Sequence, residues 1–403
     1  MNKPQLRFLE FNENWEKHNL GEIGSFSKGK GISKADIVED GANECIRYGE
    51  LYTTYGETID VIKSRTNIDT DDLVFSEAND VIIPASGESP IDIATASCVL
   101  RDGVALGGDL NIIKTQNNGV FLSYYLNYKK KLEIASLAQG ISVVHLYSSQ
   151  LSLLELNLPL KPEQDKIAIF ISSIANKLQA LKKKRVLIEE YKKAVVQKLF
   201  SQELRFKDDF GNTYPDWKDK KLGEVLFEHK LKSTGQEEVY SVSVHKGLIN
   251  QVEHLGRSYA ASNTDNYNLV QPNDIVYTKS PTGNFPLGIV KQSKIAKSVI
   301  VSPLYGVFTP ESKGLGYLLN VYFESPINTS NYLGSLIQKG AKNTINITNS
   351  TFLSKKMFLP VSVSEQEKIG SLLSSIDKKI EIVESQLQQV GKWKVGLLQK
   401  VFC

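Results

Sequence analysis

Side chains spaced for chemistry are few in this sequence. Pro215-Asp216 followed by Glu228-His229-Lys230 is the nearest approach to a metal-dependent nuclease, which needs paired carboxylates and a lysine around a cation. That pattern has no counterpart in the first half of the chain, and three charged residues at short spacing match by chance often. No Walker loop and no G-x-G-x-x-G is present, and Gly107-Gly108-Asp109 reads as a turn. An adenine methyltransferase would need an Asn/Asp-Pro-Pro-aromatic loop, and the sequence has none. Cys45, Cys98 and Cys403 form no metal or disulfide spacing, and His18, His145, His229, His245 and His254 do not cluster. The expectation is a chain without a catalytic centre, a metal site or a cofactor.

Binding chemistry is better represented. Several turns mix basic, small polar and aromatic residues, the types that neutralise phosphates and read base edges in double-stranded DNA. In the first half these are Lys28 and Lys30, Arg47 and Tyr48, Tyr52, Ser86 and His145. In the second half they are Lys230 and Lys232, His245 and Lys246, then Lys279, Ser280, Thr282 and Asn284, and finally Lys342 and Asn343. Any one of them taken alone reads rather as an ordinary solvated loop residue. As a set they occupy similar places in two halves whose loops differ. The run Lys182-Lys183-Lys184-Arg185 reads as a solvated helix face.

The elements that must position these loops are set by an internal repeat. Glu163 to Phe200 recurs as Glu365 to Phe402, a shift of 365 − 163 = 202 with no gap. Trp15-x(4)-Leu20-Gly21-Glu22-Ile23 recurs as Trp217-x(4)-Leu222-Gly223-Glu224-Val225 at the same shift, and Leu151 to Pro159 recurs one residue out of step as Phe352 to Pro360. The chain is therefore a tandem duplication: globe, helix, globe, helix.

Each long repeat carries a heptad seam. In the first copy the seam is Ile167, Ile171, Ile174, Leu178, Leu181, Ile188 and Val195, interrupted by Arg185 and Lys192. In the second it is Ile369, Leu373, Ile376, Ile380, Val383, Leu387, Val390 and Leu397, with Lys394 taking one beat. Neither seam can be satisfied alone in water, so the two are expected to pair. Gly370, Gly391 and Gly396 weaken the second helix by roughly 1 kcal/mol each relative to alanine. Pro162 suits a helix start, and Ser364 with Glu367 resembles a capping box.

Within the globes, Asp72 to Phe75, Val81 to Ile83, Asp274 to Thr278 and Leu287 to Val290 read as short strands. Phe121 to Lys131 and Tyr317 to Ser325 read as helices. The fold class is α+β: two similar mixed α/β globes with largely antiparallel sheets, separated by two long helices. The expected boundaries are 1–160, 161–202, 203–362 and 363–403.

Lys and Arg total 48 against 45 Asp and Glu, a net charge of +3 that permits nucleic-acid binding without demanding it. The polar amino terminus and the lack of a long apolar run predict a cytoplasmic protein with no membrane contact.

Along essentially its full length the chain resembles a specificity subunit of a Type I restriction-modification system. The resemblance rests on the two Glu-Gln-x-Lys-Ile helix starts, the two Gln-Lys-x-Phe helix ends, the two Trp-x(4)-Leu-Gly-Glu openings and the tandem layout. It implies that each globe is a target-recognition domain reading one half of a bipartite, asymmetric DNA site. It further implies that the long helices pair as an antiparallel coiled coil, set the gap between half-sites and dock two modification (methyltransferase) subunits. Restriction (translocase/endonuclease) subunits then join, and the subunit itself has no catalytic centre. Two other readings stand beside it: a stand-alone two-headed DNA-binding regulator, and a nuclease using Asp216, Glu228 and Lys230.

Overall fold

The computed structural model describes residues 4–255, 263–336 and 347–402, excepting the side chains of His254 and Leu255. The chain forms two compact units, Met1–Lys182 with Gln386–Cys403, and Lys183–Ser385. Each unit holds one globe and half of each long helix. The first helix is Lys161–Phe200 and the second Val363–Val401. The second runs unbroken through its three glycines.

In the first unit, Ile167, Ile171 and Ile174 near the start of the first helix share a core with Leu397, Leu398 and Val401 at the end of the second. In the second unit, Val195 and Leu199 near the end of the first helix share a core with Ile369, Leu373 and Ile376 near the start of the second. The helices therefore pair antiparallel. Among the other seam residues Leu181 and Val383 are buried, while Leu178, Ile188, Ile380, Leu387 and Val390 are half-buried.

The first globe is built on a five-stranded sheet. Its order is Gly24–Lys28, Leu110–Thr115, Val81–Pro84, Ser97–Val99, Thr58–Ile59, antiparallel except for the last pair. Val81-Ile82-Ile83 is wholly buried because both sheet faces are covered. Val81 and Ile83 point into the core holding Phe121 and Tyr125, and Ile82 into the one holding Ile46 and Leu51, as the period of two requires. The second globe has a four-stranded antiparallel sheet, Leu226–Phe227, Gly306–Pro310, Ile275–Tyr277, Val290–Gln292.

Four expected elements are displaced. Thr70–Asp72 is a short 3-10 turn capped by Asp69, so no strand starts at Asp72. The strand expected to begin at Leu287 begins at Val290, because Gly288 sits at φ +101° in a turn. The helix expected at Phe121 begins at Gly119, where Asn118 caps it, and passes through a π turn at Leu126–Lys130. The helix expected at Tyr317 begins at Lys313 under a Ser312 cap, and Pro326 opens a new helix after it.

The repeated sequences form brackets that hold each globe to its helices. The opening strand Glu16–Asn19 pairs with the closing strand Glu155–Leu158, and Lys218–Lys221 pairs with Lys356–Leu359 in the same way. The helix-start dipeptide is buried in both copies: Glu163 and Gln164 are each 1% exposed, Glu365 1% and Gln366 0%. Arg7 donates to Glu163 at 2.6 and 2.7 Å, and Trp15 Nε1 at 3.4 Å. Gln164 accepts from the Asn118 amide at 3.0 Å and donates to the Pro159 carbonyl at 2.8 Å. In the second unit Arg205 reaches Glu365 at 3.4 Å. Gln366 accepts from Ser312 Oγ at 2.6 Å and donates to the Pro360 carbonyl at 2.9 Å. Each Gln thus grips the cap of a globe helix, so a buried amide meets its full complement of partners. The capping box expected at Ser364 does not form. The helix starts two residues earlier, at Val363, Ser362 takes the cap position, and Glu367 instead accepts from the Gly314 amide at 2.9 Å.

Candidate nucleic-acid interface

In the first globe the structure gathers some of the predicted residues and separates others. Val144–His145 is a short strand paired with Ser86–Gly87, which sets His145 opposite Ser86. Burial alternates along Val144, His145, Leu146 and Tyr147, so His145 and Tyr147 face outward, their rings stacked 6.3 Å apart. Tyr52 comes next: its hydroxyl lies 3.7 Å from where a Cβ on Gly87 would stand, and 3.5 Å from the same point on Gly49. Burial pushes the Tyr52 hydroxyl pKa up, and the neighbouring Tyr48, Asp92 and Glu88 add to the effect. Tyr48, Tyr52 and His145 thus lie along one patch of hydroxyl and ring groups, while Ser86 beside them is buried at 5% exposure. Such a patch offers donors and stacking faces to base edges.

Lys28 and Lys30 lie elsewhere: Lys28 ends the strand Gly24–Lys28 opposite Asn111, and Lys30 follows on a loop closed against Leu106 and Gly107, where its amide donates to the Leu106 carbonyl at 3.0 Å. The Lys30 ammonium pairs with Asp72 at 3.0 Å in the open. Arg47 pairs with Glu50 at 3.3 Å, while its Nε is buried with no hydrogen-bond partner among the described residues. Sequence reasoning missed Tyr147 and Asp92. The alternation Val-His-Leu-Tyr carries the signal for Tyr147; Asp92 joins the patch only through tertiary contact, whereas Glu88 follows Ser86-Gly87 in the same loop.

In the second globe the predicted residues fall into two groups. Glu228, His229, Lys230 and Lys232 line a cleft of about 230 Å³ with Tyr305 and Asn349. His229 is held there by the buried Asp274 at 2.9 Å, and its Nδ1 accepts from the Leu231 amide at 3.1 Å. That pair makes Nε2 the protonated nitrogen. Lys232 donates to the Asn266 carbonyl at 3.0 Å and to Asn268 at 2.7 Å. Burial pushes the Lys279 ammonium pKa down, partly offset by Glu228. His245 and Asn284 instead line a second cleft, shared with Lys291 and Glu324. Asn284 tops a tight turn closed by Thr282 and Phe285, whose backbones exchange hydrogen bonds of 3.0 and 2.9 Å. Ser280 Oγ donates back to the Thr278 carbonyl at 3.4 Å. Lys246 is exposed on the turn after Ser243. Lys342 and Asn343 lie outside the described residues.

The nuclease reading loses its geometry here. Asp216 is in the connector, paired with Arg205 at 3.3 Å, whereas Glu228 accepts from Asn349 at 2.6 Å in the cleft. Among the described residues no three His, Cys, Asp or Glu side chains gather as metal ligands. Burial pushes the Cys45 thiol up to about 11 and the Cys98 thiol up to about 12, so both are poor nucleophiles at neutral pH. No described helix is long and apolar enough to cross a membrane.

Comparison with known proteins agrees with this layout. The profile of the Type I restriction modification DNA specificity domain matches residues 12–190 and again 214–392. The chain is 24% identical over 424 residues to the Type I restriction enzyme MjaVIII specificity subunit of Methanocaldococcus jannaschii, covering 98% of this chain and 94% of the relative. It is also 24% identical over 425 residues to the putative type I restriction enzyme MjaX specificity subunit of the same organism, covering 96% and 93%. The crystal structure of a Type-I restriction-modification system S subunit from M. genitalium has the same fold. It superposes with a TM-score of 0.62 at 18% identity, covering 100% of this chain and 99% of that one. With two copies of the domain in tandem over most of its length, the chain belongs to the Type I restriction-modification DNA specificity family.

Proposed function

We propose that this chain is the DNA sequence-recognition subunit of a Type I restriction-modification complex. Each globe reads one half of a bipartite, asymmetric site in double-stranded DNA. The globes, 1–160 and 203–362, act as target-recognition domains, and the helices, 161–202 and 363–403, fix the gap and dock two methyltransferase subunits. Restriction subunits join that assembly in the cytoplasm, and catalysis belongs to the partners. One observation carries this reading. The opening strands and helix starts of the brackets repeat at a shift of 202 and the closing strands at 201, while the outward loops of the two globes share almost nothing. A duplicated mount bearing unlike surfaces suits a protein that reads two unlike half-sites.

The test is to express the chain with its modification subunits and read the methylated motif genome-wide. The expected motif has two unlike halves around a fixed gap. Replacing residues 217–360 with another recognition domain changes one half only. Inserting seven residues into each helix adds about 10 Å, or roughly three base pairs, to the gap. A single undivided motif, or both halves changing together, refutes the reading. Purification of the chain without methyltransferase subunits points instead to a stand-alone DNA-binding regulator.

A further inference from the structure

Two lysines stand in the apolar seam of the long helices. Lys192 falls between Ile188 and Val195, and Lys394 between Val390 and Leu397. Their separation, 394 − 192 = 202, is the repeat distance, so they are one position in two copies. Both are withdrawn from water, with side chains 15% and 16% exposed. An ammonium so placed is costly unless paired.

Each is paired with a carboxylate that its own unit's globe supplies. In the first unit Lys394 Nζ lies 3.3 and 3.4 Å from the two Glu57 oxygens and 5.1 Å above the Tyr124 ring. Tyr128 donates to the same Glu57 at 2.9 Å. In the second unit Lys192 Nζ lies 2.8 Å from Glu324 and 2.8 Å from Asp377, to which Tyr317 also donates. Tyr124 and Tyr317 sit on matching globe helices, the ones whose caps hold Gln164 and Gln366.

The acids themselves do not match. They are 324 − 57 = 267 positions apart, so neither is the repeat of the other. Glu57 precedes the strand Thr58–Ile59, whereas Glu324 follows the helix Lys313–Phe323. Asp377, on the second helix, has Ala175 at its repeat position. Two globes of unlike sequence therefore each bring a carboxylate, from different elements, to the same helix cation.

We infer that Lys192 and Lys394 are positioning residues, latches that set how each globe rides on its part of the helix pair and so the phase at which it meets DNA. This rests on the proposed reading of two half-sites. Apolar contacts tolerate sliding, whereas a desolvated ion pair is satisfied in one alignment only. The rule that follows is simple: a globe fits this mount when it supplies an acid to the seam lysine.

The test uses the chain assembled with its modification subunits. Methylation rates are measured on DNA carrying the native motif with its own gap and with gaps one base pair shorter and longer. Glu57→Gln, Lys394→Gln, Glu324→Gln and Lys192→Gln should each lower discrimination against the wrong gaps by about tenfold, the loss of one charged hydrogen bond. The bases read should not change, and Lys394→Arg and Lys192→Arg should retain discrimination. Hydrogen exchange on the same variants gives a readout independent of methylation. Glu57→Gln should loosen residues 386–401 and 119–136 only, and Glu324→Gln residues 188–199 and 313–323 only. Unchanged gap discrimination in all four Gln variants overturns the inference even if thermal stability falls, and so does unchanged exchange. Failure of the wild type to methylate any two-part motif sinks the recognition reading instead, and exchange still decides the latch.

Discussion

Gly370 and Gly391 lie on the same helix and should respond to alanine in opposite directions. A Cβ at Gly370 would stand 2.5 Å from the Gly314 Cα, and one at Gly314 would stand 2.1 Å from the Gln366 carbonyl oxygen. Nothing lies within 4 Å of a Cβ at Gly391. Alanine gains about 1 kcal/mol of helix propensity at either site. At Gly370 the obstacle is backbone, so the two helices must part by about 1 Å to restore van der Waals contact. Parting stretches the Ser312–Gln366 bond from 2.6 Å and the Gly314–Glu367 bond from 2.9 Å. Losing a neutral and a charged hydrogen bond costs about 1 and about 2 kcal/mol. Gly370→Ala should therefore destabilise by about 2 kcal/mol net, lowering the melting temperature of the second unit by about 4–8 °C for a domain of this size. Gly391→Ala should raise stability by about 0.5–1 kcal/mol. Calorimetry of the whole chain with each substitution measures both. A Gly370→Ala melting point at or above the wild type would show that the crossing yields freely, and the argument for a rigid mount would fall with it.

Glu163→Ala strands the Arg7 guanidinium and should cost about 3–5 kcal/mol, read from the urea midpoint; Glu365→Ala should cost less, because Arg205 keeps Asp216 at 3.3 Å and the Tyr214 and Pro215 carbonyls at 3.0 Å. Cys45 and Cys98 should resist thiol-specific labelling at pH 8 until the chain unfolds, as peptide mass spectrometry would show. Native Cys45 keeps its proton up to about 11, while the unfolded thiol titrates near ~8.5, so its share of stability is present below ~8.5 and falls as pH rises towards 11. Tyr52→Ala or His145→Ala should change only the half-site read by the first globe, and Lys232→Ala only the other; a change in both halves would contradict independent reading. Lys246→Gln should weaken DNA binding without altering the motif, lowering the salt dependence by about one ion.

Much of the architecture is legible in one dimension because its signals are local. A gap-free repeat and a seam of alternating three- and four-residue steps state that the helices exist, where they run and that they must pair. The clasping segments are marked too, by short sequences recurring at a shift of 202 for the opening strand and 201 for the closing one, although nothing local says that they pair. The reading surface is less so. Ser86 and His145 are 59 positions apart (145 − 86), and only the pairing of two short strands sets them face to face. Lys28 and Lys30 share their composition with the loops that do assemble, yet the fold sets Lys28 opposite Asn111 in the sheet and ties Lys30 to Leu106.

The Glu-Gln dipeptide shows where the division falls. As sequence it marks a helix start, and periodicity places it on the first turn. Its burial, its arginine and the globe cap it grips depend on segments up to 160 residues away, which no local pattern encodes. The same holds for Lys192 and Lys394, which read as flaws in an apolar seam until Glu324 and Glu57 arrive beside them. The amino-acid order alone determined the duplicated helix-and-globe plan, because backbone propensity and hydrophobic period act over a few residues. The choice of which charges are buried and which loops converge belonged to tertiary structure, because desolvation and pairing depend on neighbours that only folding supplies.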